Sequence, residues 1–291
     1  MNRDAEQYDE IVEGVPEGII KTYGIDAKTK GDVPCVLLSP TLRTQGTSPF
    51  VLSPCHNLDY VASDVRLAKE AGIIKEEFFC KAPSWEREMR VNIPGLHNVE
   101  NALGAICIAD HYGIDPVFIA EGLLDTVSPE GRMERVEVPA PYTVFIDYAH
   151  NKLSMEIMME TAKLFEPNRI LCVFGLDGDR AHVRRKDCGE ILGRDADYTI
   201  LSDTSPRTDD PEKILHDVAE NIESCGGAGK YEILHDRHES IPKLLGMARE
   251  GDVVLIIGTG DRREMEINGQ RTPINEHEII NRYFDNERRG R

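Results

Sequence analysis

The sequence predicts an α/β chain in two domains, the second built on a doubly wound, largely parallel sheet. Three observations carry this. Runs such as Val253-Val254-Leu255-Ile256-Ile257 are apolar without interruption, which suits strands buried on both faces. From about residue 140 onward, short apolar strands alternate with helical stretches, the pattern of parallel strands joined by crossover helices. Finally, Ser128-Pro129-Glu130-Gly131 breaks the periodicity. The 291 residues suit two domains of ordinary size, placed here at 1–128 and 129–291.

Taken in order, the first thirty or so residues mix charged and apolar positions up to a short strand that includes Ile19 and Ile20 and closes at Gly24. Residues 36–38 and 50–52 are β-prone and separated by Pro, Thr and Gly. Residues 60–72 read as helical. A further strand over 86–93 runs into the Pro94-Gly95 turn. From Val99 the spacing of Val99, Leu103 and Ile106 is helical, and Gly113 ends that helix. Asp115-Pro116 opens the next, with Asp as N-cap and Pro at the first helical position. Beyond the boundary, strands are expected at 143–148, 170–174, 198–201, 231–234 and 253–257. Helices are expected at 154–164, 187–192, 211–222 and 240–248, the third capped by Asp210. Ligands on such sheets sit at the carboxyl ends of the strands, so the loops after Ile146, Phe174, Leu201 and Ile257 are the candidate site.

Composition narrows the class. With 40% hydrophobic and 30% charged residues the profile is that of a folded soluble protein. No apolar run approaches the roughly 20 residues that span a bilayer, and no signal peptide is evident, so the expected location is the cytoplasm. Thirty-four basic against 52 acidic residues leave a net charge of −18, which disfavours nucleic acid and anionic membrane as partners. An anionic ligand then requires a local gathering of arginines. The seven cysteines are scattered, with no Cys-x-x-Cys, and read as reduced thiols; Cys55-His56 has no second pair at zinc spacing.

Several segments place chemistry-bearing residues at strand ends or helix starts. Asp147-Tyr148-Ala149-His150 follows an apolar strand; its carboxylate suits ribose hydroxyls and its imidazole suits phosphate, though Asp and His also serve ordinary turns. His97-Asn98 follows Pro94-Gly95 at a helix start, where Asn is equally a cap. Phe174-Gly175-Leu176-Asp177-Gly178-Asp179-Arg180 precedes Arg184-Arg185-Lys186, a basic cluster fit for an anion or simply a solvated turn.

Together, Pro94-Gly95-Leu96-His97-Asn98, Gly131-Arg132-Met133-Glu134 and Asp147-Tyr148-Ala149-His150 resemble the Mur ligases, and most nearly the MurE type. The likeness runs from about Asn2 to Phe284. It implies the late part of a central ATPase domain over 1–128 and a Rossmann-like C-terminal ligase domain over 129–291. By that resemblance Asn98 contacts adenine, Arg132 contacts ATP phosphate, Asp147 contacts ribose, and His150 lies nearby. The loop at 174–180 is similar to the family's Phe-Gly-x-Gly-Gly-Asp-Arg, which marks Arg180 and, downstream, Arg185 as substrate-binding positions. Ser202-Asp203-Thr204-Ser205-Pro206-Arg207 is similar to the MurE loop that reads the incoming amino acid. That marks Asp203, Pro206 and Arg207, with the arginine pairing the distal carboxylate of meso-diaminopimelate. The Gly258-Thr259-Gly260-Asp261-Arg262 stretch corresponds to the family's Gly-Lys-Gly-His-Glu. Gly260 matches, the family's glutamate falls on Arg262, and Glu264 is the nearest acidic substitute. His235-Asp236-Arg237 is read as architectural.

The implied function is ATP-dependent amide ligation. ATP phosphorylates the carboxylate of UDP-N-acetylmuramoyl-dipeptide, and the amine of the next amino acid displaces phosphate. ATP and magnesium are implied by the family. Yet the sequence contains no Gly-x-x-x-x-Gly-Lys-Ser/Thr loop; Gly229-Lys230 is followed by Tyr231. The expectation is therefore a truncated or split ligase, inactive alone, whose partner is a chain carrying the missing ATPase half. The alternative is a non-catalytic subunit that binds nucleotide or amino acid.

Overall fold

The computed structural model describes residues 59–69, 74–267 and 269–289 throughout, together with the backbone of Glu70 and Ile73 and of three short strands, Lys21–Ile25, Cys35–Leu38 and Leu52–Ser53. The readings at Ile19, Ile20, Phe50 and Val51, and the Cys55-His56 pair, fall outside these residues. The chain divides into two compact units, Met1–Val127 and Ser128–Arg291.

In the first unit, β1 (Lys21–Ile25), β2 (Cys35–Leu38), β3 (Leu52–Ser53), β4 (Tyr60–Glu70), β5 (Ile73–Lys81) and β6 (Glu86–Val91) form one sheet in the order β3-β2-β1-β4-β5-β6. β4 corrects the helical reading of 60–72. Leu, Ala, Lys and Glu favour helices, but β4 has a neighbour on each side, parallel β1 and antiparallel β5. A run of cross-strand pairs overrides that local propensity. A bulge between Ser63 and Arg66, with Asp64 at φ 52°, interrupts its ladder. Such an insertion hides the period of two from the sequence. Helix α1 (Leu96–His111) buries Val99, Leu103 and Ile106 as their spacing predicts, and Gly113 follows it in the left-handed region at φ 72°. Helix α2 (Pro116–Leu124) starts as read, with the Asp115 carboxylate accepting from the Val117 N–H.

The second unit adds β7 (Glu134–Val136), β8 (Thr143–Asp147), α3 (Lys152–Lys163), β9 (Ile170–Phe174), α4 (Val183–Asp195), β10 (Tyr198–Leu201), α5 (Pro211–Ile222), β11 (Tyr231–Ile233), α6 (Arg237–Met247) and β12 (Val253–Ile257). A hairpin, β13 (Glu264–Ile267) with β14 (Gln270–Pro273), and helix α7 (Glu276–Arg289) complete it. The sheet order is β11-β10-β9-β12-β8-β7, parallel except for the edge strand β7.

Alternate residues of each central strand face opposite layers. Phe145, Cys172, Phe174, Leu255 and Ile257 pack with Met155, Met159, Ile191 and Leu215 of α3, α4 and α5. Ile146, Leu171, Val173, Val254 and Ile256 pack with Ile241, Leu244, Ile280 and Phe284 of α6 and α7. The sheet is doubly wound. Because β12 inserts between β8 and β9, the chain reverses direction across the sheet there, and the ligand crevice of such folds opens at that point. Asp147, Phe174 and Ile257 are in register at that edge, and Leu201 is level with Phe174.

Among the described residues, no helix is long and apolar enough to cross a membrane. Cys80, Cys107, Cys172 and Cys188 are buried free thiols, and Cys225 is an exposed one. Burial pushes the Cys188 thiol up to about 12, which keeps it protonated and unreactive.

Candidate functional site at the carboxyl edge of the second sheet

The Gly131–Glu134 turn and the end of β8 are one hydrogen-bonded unit. Asp147 is only 9% exposed, and its two oxygens accept from the Met133 and Ala149 N–H groups, each at 2.6 Å. Burial raises its pKa, while those N–H groups and Arg132 pull the other way. The Tyr148 N–H donates to the Gly131 carbonyl at 2.9 Å, and Glu134 accepts from the Gly131 N–H at 2.7 Å. Asp147 therefore locks two sequence motifs together. Both oxygens serve the backbone, and each keeps a further lone pair for another donor. Arg132, by contrast, is exposed and forms no ion pair among the described residues; its guanidinium carbon lies 5.0 Å from the centroid of the Tyr148 ring. His150 sits just before the Asn151 cap of α3, its Nδ1 2.8 Å from the Tyr148 carbonyl.

The loop after β9 holds the next part. Asp177 accepts both Nη groups of Arg262, at 2.6 and 2.7 Å, and the Thr204 hydroxyl at 3.2 Å. Burial works against its ionised form, but the Arg262 guanidinium outweighs that and holds the carboxyl below its ordinary value. Arg262 also donates to the Tyr148 hydroxyl and lies 4.9 Å from the same ring that Arg132 approaches. The inverted charge at position 262 is thus matched inside the fold. Asp177 takes a place that the family loop gives to glycine, and a carboxylate gained there answers a guanidinium gained at 262.

The basic run that follows does not act as one patch. Arg180 is exposed, without an ion pair among the described residues. Arg184 donates from Nε to the His150 carbonyl at 2.6 Å. Arg185, marked as a substrate contact, is instead 4% exposed and paired with Asp209 at 2.5 Å and Asp217 at 2.8 Å. It ties α4 to α5 and to the loop before it. Lys186 pairs outward with Glu190 at 3.7 Å. One turn of helix separates these fates, and a string of basic letters carries no sign of it.

The loop after β10 seals onto the hairpin. The Arg207 N–H donates to the Glu266 carbonyl at 3.0 Å, and the Glu266 N–H to the Ser205 hydroxyl at 3.1 Å. Arg207 holds φ 56°, a left-handed conformation unusual for an arginine, and Pro206 is buried. A cavity of about 170 Å³ opens here, lined by Ser205, Arg207, Arg262, Glu264, Met265, Glu266 and Arg271. Gly260, at φ 59°, packs against Tyr148: a Cβ there would lie 2.7 Å from the Tyr148 Cβ. Asp203 points elsewhere, to His235, which it meets at 3.0 Å and which also meets Glu212 at 3.0 Å. Burial raises the Asp203 pKa against the pull of His235. Burial favours neutral His235, but the two carboxylates prevail and raise its pKa. Arg237 is fully buried against Glu276, an architectural pair as read.

Asn98 belongs to the first unit. Gly95, not Asn98, is the N-cap of α1. The Asn98 amide nitrogen donates to the Pro94 carbonyl at 2.8 Å, and its oxygen accepts from Asn101 at 3.3 Å. One N–H and one lone pair stay open, the set a purine edge needs.

Comparison with known proteins decides the family. Residues 131–260, which hold the second unit's site apart from Arg262 and the hairpin, match the model "Mur ligase, glutamate ligase domain". The second unit is a Mur ligase domain. A UDP-N-acetylmuramoyl-L-alanyl-D-glutamate–2,6-diaminopimelate ligase of Caldanaerobacter subterraneus subsp. tengcongensis is 36% identical over 195 residues, covering 67% of this chain and 40% of that protein. The protein of the same name from Alkaliphilus metalliredigens is 34% identical over 230 residues, 79% of this chain and 44% of its own length. A solved structure of a ligase with that name superposes with TM-score 0.55 at 26% identity, over 80% of this chain and 47% of its own. The chain thus spans less than half the length of the relatives it matches. Among its described residues, no group of three or more His, Cys, Asp or Glu side chains could hold a metal ion. The exposed guanidinium groups of Arg132 and Arg180 fit an anionic ligand.

Proposed function

We propose that this chain provides the nucleotide-facing edge and the amino-acid pocket of a MurE-type ligase, joining meso-diaminopimelate to UDP-N-acetylmuramoyl-dipeptide for peptidoglycan synthesis. The observation that carries the reading is the charged cavity between the Arg207 loop and the β13–β14 hairpin, at the same sheet edge as Arg132. Arg132 and Arg180 attract ATP phosphate, with His150 and Arg184 in hydrogen-bond contact beside them. Asp147 acts through the backbone it clamps. Arg207 holds a substrate carboxylate with a planar fork; Pro206 and Gly260 shape the loops around it.

ATP is the phosphoryl donor of the family reaction, and the phosphate cradle and metal ligands are not among this chain's motifs. Calorimetric titrations test the reading. Meso-diaminopimelate should bind the wild type, and ADP should bind it more tightly than Arg132→Ala. Binding of neither ligand at millimolar concentration would reject the proposal. A purely binding role predicts the same titrations but no ligation with any partner chain, so the two readings separate on product formation.

A further inference from the structure

Arg132 is loosely anchored for a group at the strand-end edge. Its side chain is exposed and has no ion pair or hydrogen bond among the described residues; its guanidinium carbon lies 5.0 Å from the centroid of the Tyr148 ring. Tyr148, by contrast, is held at both ends. Its N–H donates to the carbonyl of Gly131, the residue before Arg132, at 2.9 Å. Its hydroxyl accepts from Arg262, whose guanidinium carbon lies 4.9 Å from the same centroid. Gly260 packs close beside it, where a Cβ would meet the Tyr148 Cβ at 2.7 Å. Two guanidinium groups near one ring would repel each other, but both Nη groups of Arg262 are taken by the buried Asp177 carboxylate. The charge of Arg262 is thereby matched, and the ring stays available to the cation of Arg132.

We propose that Arg262 is a positioning residue for nucleotide binding: through Tyr148 it sets the orientation in which Arg132 meets a phosphate group. The inference rests on the nucleotide-facing edge proposed above and adds to it a residue from the other side of the ring. An arginine that reaches into solvent samples many rotamers and gives up that freedom when it grips an anion. A ring held in place beside the guanidinium removes part of that cost before the ligand arrives. Arg262 suits the tether because its fork serves two acceptors at once: Nη1 and Nη2 each reach an oxygen of Asp177, and Nη2 also reaches the Tyr148 hydroxyl. A lysine, with one point charge on a flexible stem, cannot reproduce that fork. The guanidinium at 262, an inversion of the charge expected there from sequence, thus acquires a role that the glutamate could not fill.

The test uses the full chain, with calorimetric titration of ADP and a melting curve for each variant. Arg262→Ala should weaken ADP roughly threefold, the scale of one exposed cation–π contact. Tyr148→Leu, which removes the ring and leaves Asp177 and Arg262 paired, should do the same, and Tyr148→Phe should fall between it and the wild type. Arg262→Lys should not restore the affinity. In an Arg132→Ala background neither Arg262→Ala nor Tyr148→Leu should lower ADP affinity further. Arg194→Ala removes an equal charge from α4, where Arg194 pairs with Asp195 at 2.6 Å, and should leave ADP binding unchanged. Should Arg262→Ala melt below the titration temperature, the two Tyr148 variants carry the comparison. A loss on Arg262→Ala that persists without Arg132 would make Arg262 a phosphate contact in its own right and overturn the positioning role. Undiminished ADP binding in Arg262→Ala and Tyr148→Leu, with Arg132→Ala still impaired, would overturn the assignment and leave the edge standing. Equal ADP binding by the wild type and Arg132→Ala would remove the edge, and this assignment with it.

Discussion

Asp177 and Arg262 face each other across the strand-end crevice as an end-on bidentate pair, 2.6 and 2.7 Å apart, although 85 residues separate them in sequence. The pair does two things at once. It neutralises a guanidinium that would otherwise repel an ammonium ligand. It also extends, through the Tyr148 ring, toward Arg132. The cavity lined by Arg207 and Arg262 and the exposed Arg132 are therefore linked by one run of contacts.

Asp177→Asn should destabilise the second unit by about 1–3 kcal/mol at neutral pH. The carboxylate is 7% exposed and Arg262 is 23% exposed, so the loss is that of a partly screened pair rather than a fully buried one. The folded carboxyl titrates below its ordinary value of 3.8. Its contribution is hence complete above that value and disappears as pH falls through the lower, folded one. Urea unfolding of both proteins from pH 7 down to pH 3 should show the gap closing only at the acid end. A gap that widens on acidification would contradict the pairing.

Arg185 and Arg180, five residues apart, should give opposite results. Arg185→Ala removes the partner of two aspartates that hold α4 against α5. It should cost about 2–4 kcal/mol, somewhat below the full figure for a broken buried pair, because both aspartates keep partial access to water. Arg180→Ala touches nothing buried and should stay within about 0.5 kcal/mol of wild type, while weakening ADP binding. Thermal unfolding and ADP titration on the two variants separate the roles. Equal melting losses would show that the basic run is structural throughout.

What the sequence disclosed follows from where the forces are local. Asp115-Pro116 and Asp210-Pro211 each fix a helix start within a few residues, and the buried strands announce themselves as apolar runs. β4 was concealed because a bulge breaks its alternation and Leu, Ala, Lys and Glu give it a helical composition, although its partner β5 follows two residues later. β5 and the β13–β14 hairpin carry too little periodic signal to stand out beside charged neighbours, whereas α7 has apolar Ile279, Ile280 and Phe284 at helical spacing. Within the site, positions were legible and allegiances were not. Arg132 is exposed and Arg207 lines the small cavity, whereas Arg185 is buried between two aspartates and Asp147 clamps backbone N–H groups. One usable signal passed unread: a carboxylate at the glycine position of 177 and a guanidinium at the glutamate position of 262 are complementary departures from the same family pattern.

Gly178→Ala should damage the pocket wall. A Cβ at this position would lie 1.8 Å from the Pro206 carbonyl oxygen, and that oxygen sits in backbone already fixed by Gly178 and Glu266. Overpacking of this kind costs about 1–3 kcal/mol and must push the Arg207 loop outward. Diaminopimelate affinity should fall even though no charged group is altered. Gly226→Ala, with nothing within 4 Å of the added methyl, is the control for glycine replacement; its φ of 84° adds only local strain. Equal ligand affinity in Gly178→Ala and wild type would show that the loop position is not critical.

Residues 1–291 alone should form no amide from UDP-N-acetylmuramoyl-dipeptide, ATP and diaminopimelate. The chemistry needs the β- and γ-phosphates held in line with the acceptor carboxylate while charge develops on the transferring group. The sequence contains no phosphate loop, and the described residues contain no cluster fit for a metal. Arg132 and Arg180 supply attraction, but an exposed guanidinium neither orients a phosphoryl group nor excludes water from it. A partner chain that brings a Gly-x-x-x-x-Gly-Lys-Ser/Thr loop should restore turnover, and Arg132→Ala should lower it in that mixture. Chromatographic detection of the tripeptide product, with protein made in cells whose own ligase has been removed by affinity depletion, reads both arms. Product from this chain by itself, abolished by Arg132→Ala, would mean that the arginine edge drives phosphoryl transfer without a cradle.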